Sequence, residues 1–181
     1  YLPGTVVQVV ANQQVMVALT AGDLVVIDIR QPAQPRIVSR LLLRTLPSGA
    51  GNGQATLALV DNYLFLACAD HCGDTSLFVL NIAVPTSPVV VGKLKTGTTL
   101  SNLTIHVDHL YGSLNGKLAI IDIHEPSTPK LLGMQPRSGQ FAHATDAVIL
   151  EAANTVRSAT CNLPRILESR IGLVSASNTI S

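Results

Sequence analysis

The chain has 181 residues, enough for one well-cored domain, and its 13% charged residues leave a formal net charge of +1. That balance, with no basic stripe, excludes an electrostatic footprint for nucleic acid, and no run approaches the roughly 18 apolar residues of a membrane span. Hydrophobic residues make up 47% but aromatics only 3%, so the core is expected to be aliphatic. Polarity rests on Ser, Thr, Asn, Gln and Gly, which suits a secreted or cell-surface β-protein better than a cytosolic enzyme. A start at Tyr1 implies a processed product or a piece of a longer protein.

The predicted elements are short strands rich in β-branched residues. Residues 6–10, 15–20 and 24–29 form the first three, separated by turn signals at Asn12-Gln13 and Gly22-Asp23. Residues 36–41 alternate apolar with polar and read as an exposed outer strand, whereas Leu24-Val25-Val26-Ile27 reads as one covered on both faces. The order recurs over 55–60, 63–68, 77–82 and 89–94, and again over 103–107, 110–114, 118–123 and 130–134. Asn115-Gly116 is the strongest hairpin signal. A worn fourth unit is expected over 141–171, with strands at 141–145 and 147–152, a degraded third strand at 155–161, and Pro164-Arg165-Ile166 echoing Pro35-Arg36-Ile37. A helix over 146–159, capped by Asp146, is the alternative there.

One phrase ties the units together. It reads Asp28-Ile29-Arg30-Gln31-Pro32-Ala33-Gln34-Pro35, then Asn81-Ile82-Ala83-Val84-Pro85-Thr86-Ser87-Pro88, then Asp122-Ile123-His124-Glu125-Pro126-Ser127-Thr128-Pro129. Asp28, Asn81 and Asp122 are expected to accept backbone N–H groups of the following turn. The first prolines, Pro32, Pro85 and Pro126, end the strand by removing a donor. The second, Pro35, Pro88 and Pro129, hold their predecessors extended and launch the outer strand. The phrase is therefore a crossover between strands rather than a ligand for proline-seeking domains. Four strands in roughly 40 residues is the repeat length of a β-propeller blade. The expected fold is all-β, a propeller of about four four-stranded antiparallel blades at 5–45, 55–96, 102–135 and 141–171, with a tail at 172–181. Either a small closed ring or part of a larger propeller fits that count.

Those three phrases, with the apolar runs before them, resemble the LVIVD repeat, and Asp61-Asn62-Tyr63-Leu64-Phe65-Leu66-Ala67 resembles its recurrent turn and second strand. The resemblance covers about 5–135 well and 136–171 poorly. It implies a propeller of the kind found in secreted and surface-attached bacterial and archaeal proteins. It carries no catalytic or cofactor-binding residues.

Chemistry-bearing groups are few. Cys68, His71 and Cys72, with Asp70 or Asp74, are candidate zinc ligands. Competing readings are a disulfide between Cys68 and Cys72, a disulfide from either to Cys161, or free thiols. His106 and His109 form an H-x-x-H whose members face opposite sides of a strand unless a turn redirects one. His143 is placed near the central channel. Asp23, Asp61, Asp108 and Asp146 read as turn formers, with calcium binding as the lesser possibility. Asn102-Leu103-Thr104 is a sequon. No phosphate-binding, zincin or nucleophile-elbow motif is present. The function expected is non-catalytic: binding of protein or glycan through loops, adhesion or scaffolding. A central-channel metal site or enzyme and a self-assembling filament or surface-layer subunit are the alternatives.

Overall fold

The computed structural model describes residues 5–43, 55–68, 75–98, 100–136, 140–144 and 149–152. Its first unit contains β1 (Val6–Ala11), β2 (Val15–Thr20), β3 (Asp23–Asp28) and β4 (Arg36–Leu42). The second contains β5 (Ala55–Val60), β6 (Tyr63–Cys68), β7 (Thr75–Asn81) and β8 (Val89–Lys95), and the third β9 (Leu100–His106), β10 (His109–Leu114), β11 (Lys117–Asp122) and β12 (Lys130–Pro136). Each unit is a four-stranded antiparallel meander in chain order. Strand β9 begins at Leu100, three residues before the predicted start, since Ser101 and Leu100 still pair with Ser113 and Leu114 beyond a bulge opposite Gly112.

The fourth unit departs from expectation. Among the described residues it is a two-stranded sheet, β13 (Gln140–Ala144) and β14 (Ile149–Ala152), and no strand pairing closes the array into a ring. Three complete sheets, not four, are therefore described. Strand geometry at 149–152 rules out the helical alternative for that stretch. The degraded third strand, the Pro164 echo and the tail lie outside the described residues.

Burial follows position in the sheet. The middle strands β2 and β3 are buried almost throughout, as apolar side chains project from both faces, while β1 and β4 stay largely accessible and only β1 comes near alternation. Two cores lie between neighbouring sheets. One core joins Val17, Leu19, Leu24 and Val26 to Leu64, Leu66, Phe78 and Leu80. A second joins Phe65, Ala67, Leu77 and Val79 to Leu110, Ala119, Ile121 and Ile123. The middle sheet thus gives opposite faces to two partners, and on the other face of the first sheet Ala18, Val25 and Ile27 form a third buried cluster. First strands β1, β5, β9 and β13 pack successively side by side, as inner strands around an axis.

The crossovers share one geometry. Oδ1 of Asp28, Asn81 and Asp122 accepts the N–H of Arg30, Ala83 and His124 at 3.0, 2.8 and 2.9 Å. Pro32, Pro85 and Pro126 then occupy the second position of turns closed by Gln34 N–H to Gln31 O, Ser87 to Val84 and Thr128 to Glu125, at 2.8, 2.9 and 2.9 Å. The outer strands begin directly after Pro35, Pro88 and Pro129. Between cap and turn, Ile29, Ile82 and Ile123 donate to Gln14, Asn62 and Asp108, which lashes each crossover to the first hairpin of its own unit.

Gly92 explains how units lock. A Cβ there would lie 2.5 Å from the Pro126 carbonyl oxygen and 3.0 Å from that of Ser127. The crossover of the third unit therefore rests on the outer strand β8 of the second, and only a residue without a side chain admits it. Ser39 occupies the same register position in β4, opposite Val26 as Gly92 is opposite Val79, and its buried hydroxyl has no hydrogen-bond partner.

Candidate functional site

The turns β1–β2, β5–β6 and β9–β10 and all three crossovers lie at one end of the sheets, since the hydrogen bonds from Ile29, Ile82 and Ile123 join them. That end is polar and bound together across units. Asn12 Oδ1 accepts the N–H groups of Gln14 and Val15 at 2.8 and 2.9 Å, which closes its own turn. Its Nδ2 donates to the Asp61 carbonyl at 2.7 Å, in the turn of the next unit. Deeper along β1, the Gln8 amide makes a two-way pair with β5, donating to Leu57 O at 2.9 Å and accepting Leu57 N–H at 2.7 Å. Residues Asn12, Gln13, Gln14, Asp61 and Asn62 line an open cleft of about 580 Å³ at this rim.

The equivalent turn of the third unit is strained. Val107 holds φ at 50°, where the second unit has Asp61 at 49°, and it is 67% exposed. A β-branched residue in the left-handed region costs about 1–3 kcal/mol, whereas Asp tolerates it better. Beside it, His106 and His109 are cross-strand partners, so the tight turn sets them on one face rather than on opposite sides. His109 also approaches the Tyr111 ring at 6.3 Å, and His124 Nδ1 stands 3.5 Å from Asp108 Oδ2 on the exposed surface.

Other predicted groups fall elsewhere. Asp23 is not a turn residue: it opens β3, is buried, and accepts Arg40 Nε at 3.0 Å from β4. Cys68 closes β6, while His71, Cys72, Asp70, Asp74, Cys161 and Asp146 lie outside the described residues. His143 lies on β13, beside β9. Asn102 sits exposed at the bulge of β9 with φ at 52°. Among the described residues no group of three or more His, Cys, Asp or Glu comes together to hold a metal ion.

A second hollow, of about 240 Å³, lies at the first crossover between Asp28, Arg30, Gln31, Gln34 and Arg36. The Arg30 side chain and then its backbone N–H hold the Asp28 carboxyl down to about 2 from 3.8. The Ser127 hydroxyl, then its N–H, lowers Glu125 in the third crossover. A folded-state value below the unfolded one means that the Asp28 contribution is complete above about pH 4 and is lost as pH falls through 2. Carbon-13 titration of the Asp28 carboxyl will show a midpoint near 2, moving up toward 3.8 in Arg30→Ala. An unmoved midpoint in that variant contradicts the assignment.

Comparison with known proteins agrees with this repeat geometry. The LVIVD repeat model matches residues 10–42 and 102–134, which run through the strands and crossovers of the first and third units. These are LVIVD repeats. The LVIVD unit is a β-propeller-type repeat, and the three four-stranded antiparallel sheets are consistent with propeller-like blades. In structure the chain is similar to the computationally designed Ika4 protein, with a TM-score of 0.60 at 16% identity, covering 85% of this chain and 89% of that one. It is also similar to a chain in the S. cerevisiae complex of Dbp5 with Nup159, Gle1, IP6 and ADP, at a TM-score of 0.50 and 13% identity. That match covers 87% of this chain but 41% of the other, so the present chain spans less than half its length. Both likenesses concern the fold. No curated protein matches the sequence.

Proposed function

We propose that these LVIVD blades form a non-catalytic binding module, secreted or displayed at the cell surface, that holds protein or glycan through its turn rim. The observation that carries this reading is the cleft of Asn12, Gln13, Gln14, Asp61 and Asn62, where side-chain amides meet across two blades on a braced framework. Neutral amides donate and accept hydrogen bonds without a charge to desolvate, which suits hydroxyls and peptide groups. Rim loops vary freely while buried strands carry the fold. Catalysis has no comparable support: among the described residues the rim offers no nucleophile with an adjacent base.

The test is retention of the purified chain on an oligosaccharide array and on a peptide array, with a Gln13→Ala/Asn62→Ala variant alongside. Both side chains are exposed, so the variant keeps the wild-type melting temperature. The reading expects retention on one array and at least a tenfold loss in the variant. No retention on either array, or equal retention by the variant, overturns it.

A further inference from the structure

Carboxylates among the described side chains are tied to neighbours, with one exception. Asp23 meets Arg40, Asp28 meets Arg30, Asp108 stands by His124, Asp122 accepts the His124 N–H and Glu125 accepts the Ser127 hydroxyl. The Asp61 carboxylate has no hydrogen bond or ion pair; the residue is held instead by its backbone carbonyl, which accepts Asn12 Nδ2. It is exposed and lines the rim cleft between the first two blades, among the neutral amides of Asn12, Gln13, Gln14 and Asn62. The turn does not demand an acid. Val107 holds the same place in the third unit at nearly the same φ, 50° against 49°, each one residue before the carbonyl that receives the crossover N–H.

The lining also bears on the kind of ligand. None of the residues that line the cleft is aromatic. Tyr63, next in the chain, packs against the core shared by the second and third blades. A sugar ring therefore finds no aromatic face in the lining on which to lie. Peptide groups need only donors and acceptors, and primary amides supply both. A carboxylate set among neutral groups favours a cation, and Lys and Arg side chains carry donors alone.

We infer that the cleft takes a peptide segment whose Lys or Arg side chain is held by the Asp61 carboxylate. This rests on the cleft being the binding surface, as proposed above, and names its substrate class and the residue that selects it. The Asn12 bond fixes the Asp61 carbonyl at 2.7 Å, and the Asn62 carbonyl accepts the Ile82 N–H at 2.8 Å. A charge on a braced backbone loses less freedom on binding than one on a mobile loop. The formal net charge of +1 gives no general attraction for cations, so selection falls to this group.

The test probes a random heptapeptide array and an oligosaccharide array with the wild type, Asp61→Asn and Gln13→Ala/Asn62→Ala. Asp61→Asn removes the charge and keeps the size, and Asn is at home at this φ, so the turn and the melting temperature are retained. Peptides retained by the wild type are expected to be rich in Lys or Arg. Changing that residue to Gln is expected to weaken wild-type binding about two- to fivefold, the usual size of one exposed ion pair. The same change leaves Asp61→Asn binding as it was, and added salt weakens the wild type more than this variant. Retained peptides without basic residues, retention on oligosaccharides alone, or equal weakening in the wild type and Asp61→Asn overturns the inference. If the double alanine variant still loses its binding in those cases, the cleft reading itself stands. No retention on either array overturns both.

Discussion

Phe78→Ala is expected to unfold with a stability about 3–5 kcal/mol below that of the wild type. Phe78 has no exposed surface, and its ring closes the seam between the first two blades against Leu19, Leu24 and Val26. The cavity left by truncation cannot collapse easily. Both walls are sheets whose spacing is set by continuous hydrogen-bond ladders. The Lys93 ammonium, 6.0 Å from the ring centroid, loses its aromatic partner in the same step. In a chain with no Trp and 3 Phe, few aromatic side chains share this load. A loss of this size is a large part of the roughly 5–15 kcal/mol that holds a domain folded. Urea unfolding followed by circular dichroism measures it, and a loss below about 1 kcal/mol would show that the blades do not depend on each other's faces.

Gly92→Ala carries the second large effect, through one added methyl group. The atom it strikes is the Pro126 carbonyl oxygen, at 2.5 Å, and this is backbone with no rotamer to change. That carbonyl lies in a turn fixed by Thr128 N–H to Glu125 O and by the Asp122 cap on His124, each at 2.9 Å. Either the third blade shifts off β8 or the crossover distorts. We expect a loss of about 1–3 kcal/mol, the usual range for overpacking a close contact. Thermal unfolding will show the same order, with a lower melting temperature and no change in the far-ultraviolet spectrum of the folded state.

Much of the strand order was legible because burial writes itself into residue type. Leu24-Val25-Val26-Ile27 is apolar at every position because both its faces are covered, whereas the alternation read into 36–41 is broken by a bulge at Val38 and leaves Ile37 exposed. The crossover was legible too, since Asp, Pro and Pro each have one dominant backbone consequence. Gly92 had a readable signal that the strand pattern alone passes over: a glycine after Val89-Val90-Val91 marks a close backbone approach. The inter-blade bonds of Gln8 and Asn12 were less visible. Gln8 interrupts an apolar run, but what its amide meets depends on which strand of another blade lies beside it.

The departures have equally local causes. Asp23 follows Gly22 and reads as a turn residue, yet its cross-sheet neighbour Arg40, 17 positions away, draws it into the strand. The histidines of His106-Val107-Asp108-His109 alternate sides on a continuous strand; a two-residue turn makes them cross-strand partners instead. The fourth unit was expected to have four strands and shows two among the described residues. Its first hairpin keeps the apolar spacing of its predecessors, whereas its later part carries only one proline of the crossover phrase, Pro164.

The central claim is that the crossover of the third blade is a latch, holding that blade on Gly92 of the blade before it. Urea unfolding of Gly92→Ala and Gly133→Ala, at a concentration where the chain is monomeric, tests this most directly. The two substitutions are chemically identical and occupy the same register position of successive blades, with a Pro126 carbonyl over one and, among the described residues, nothing within 4 Å over the other. The account predicts that only Gly92→Ala loses stability, by about 1–3 kcal/mol, while Gly133→Ala matches or slightly exceeds the wild type. Equal losses in both variants, or none in either, would contradict it.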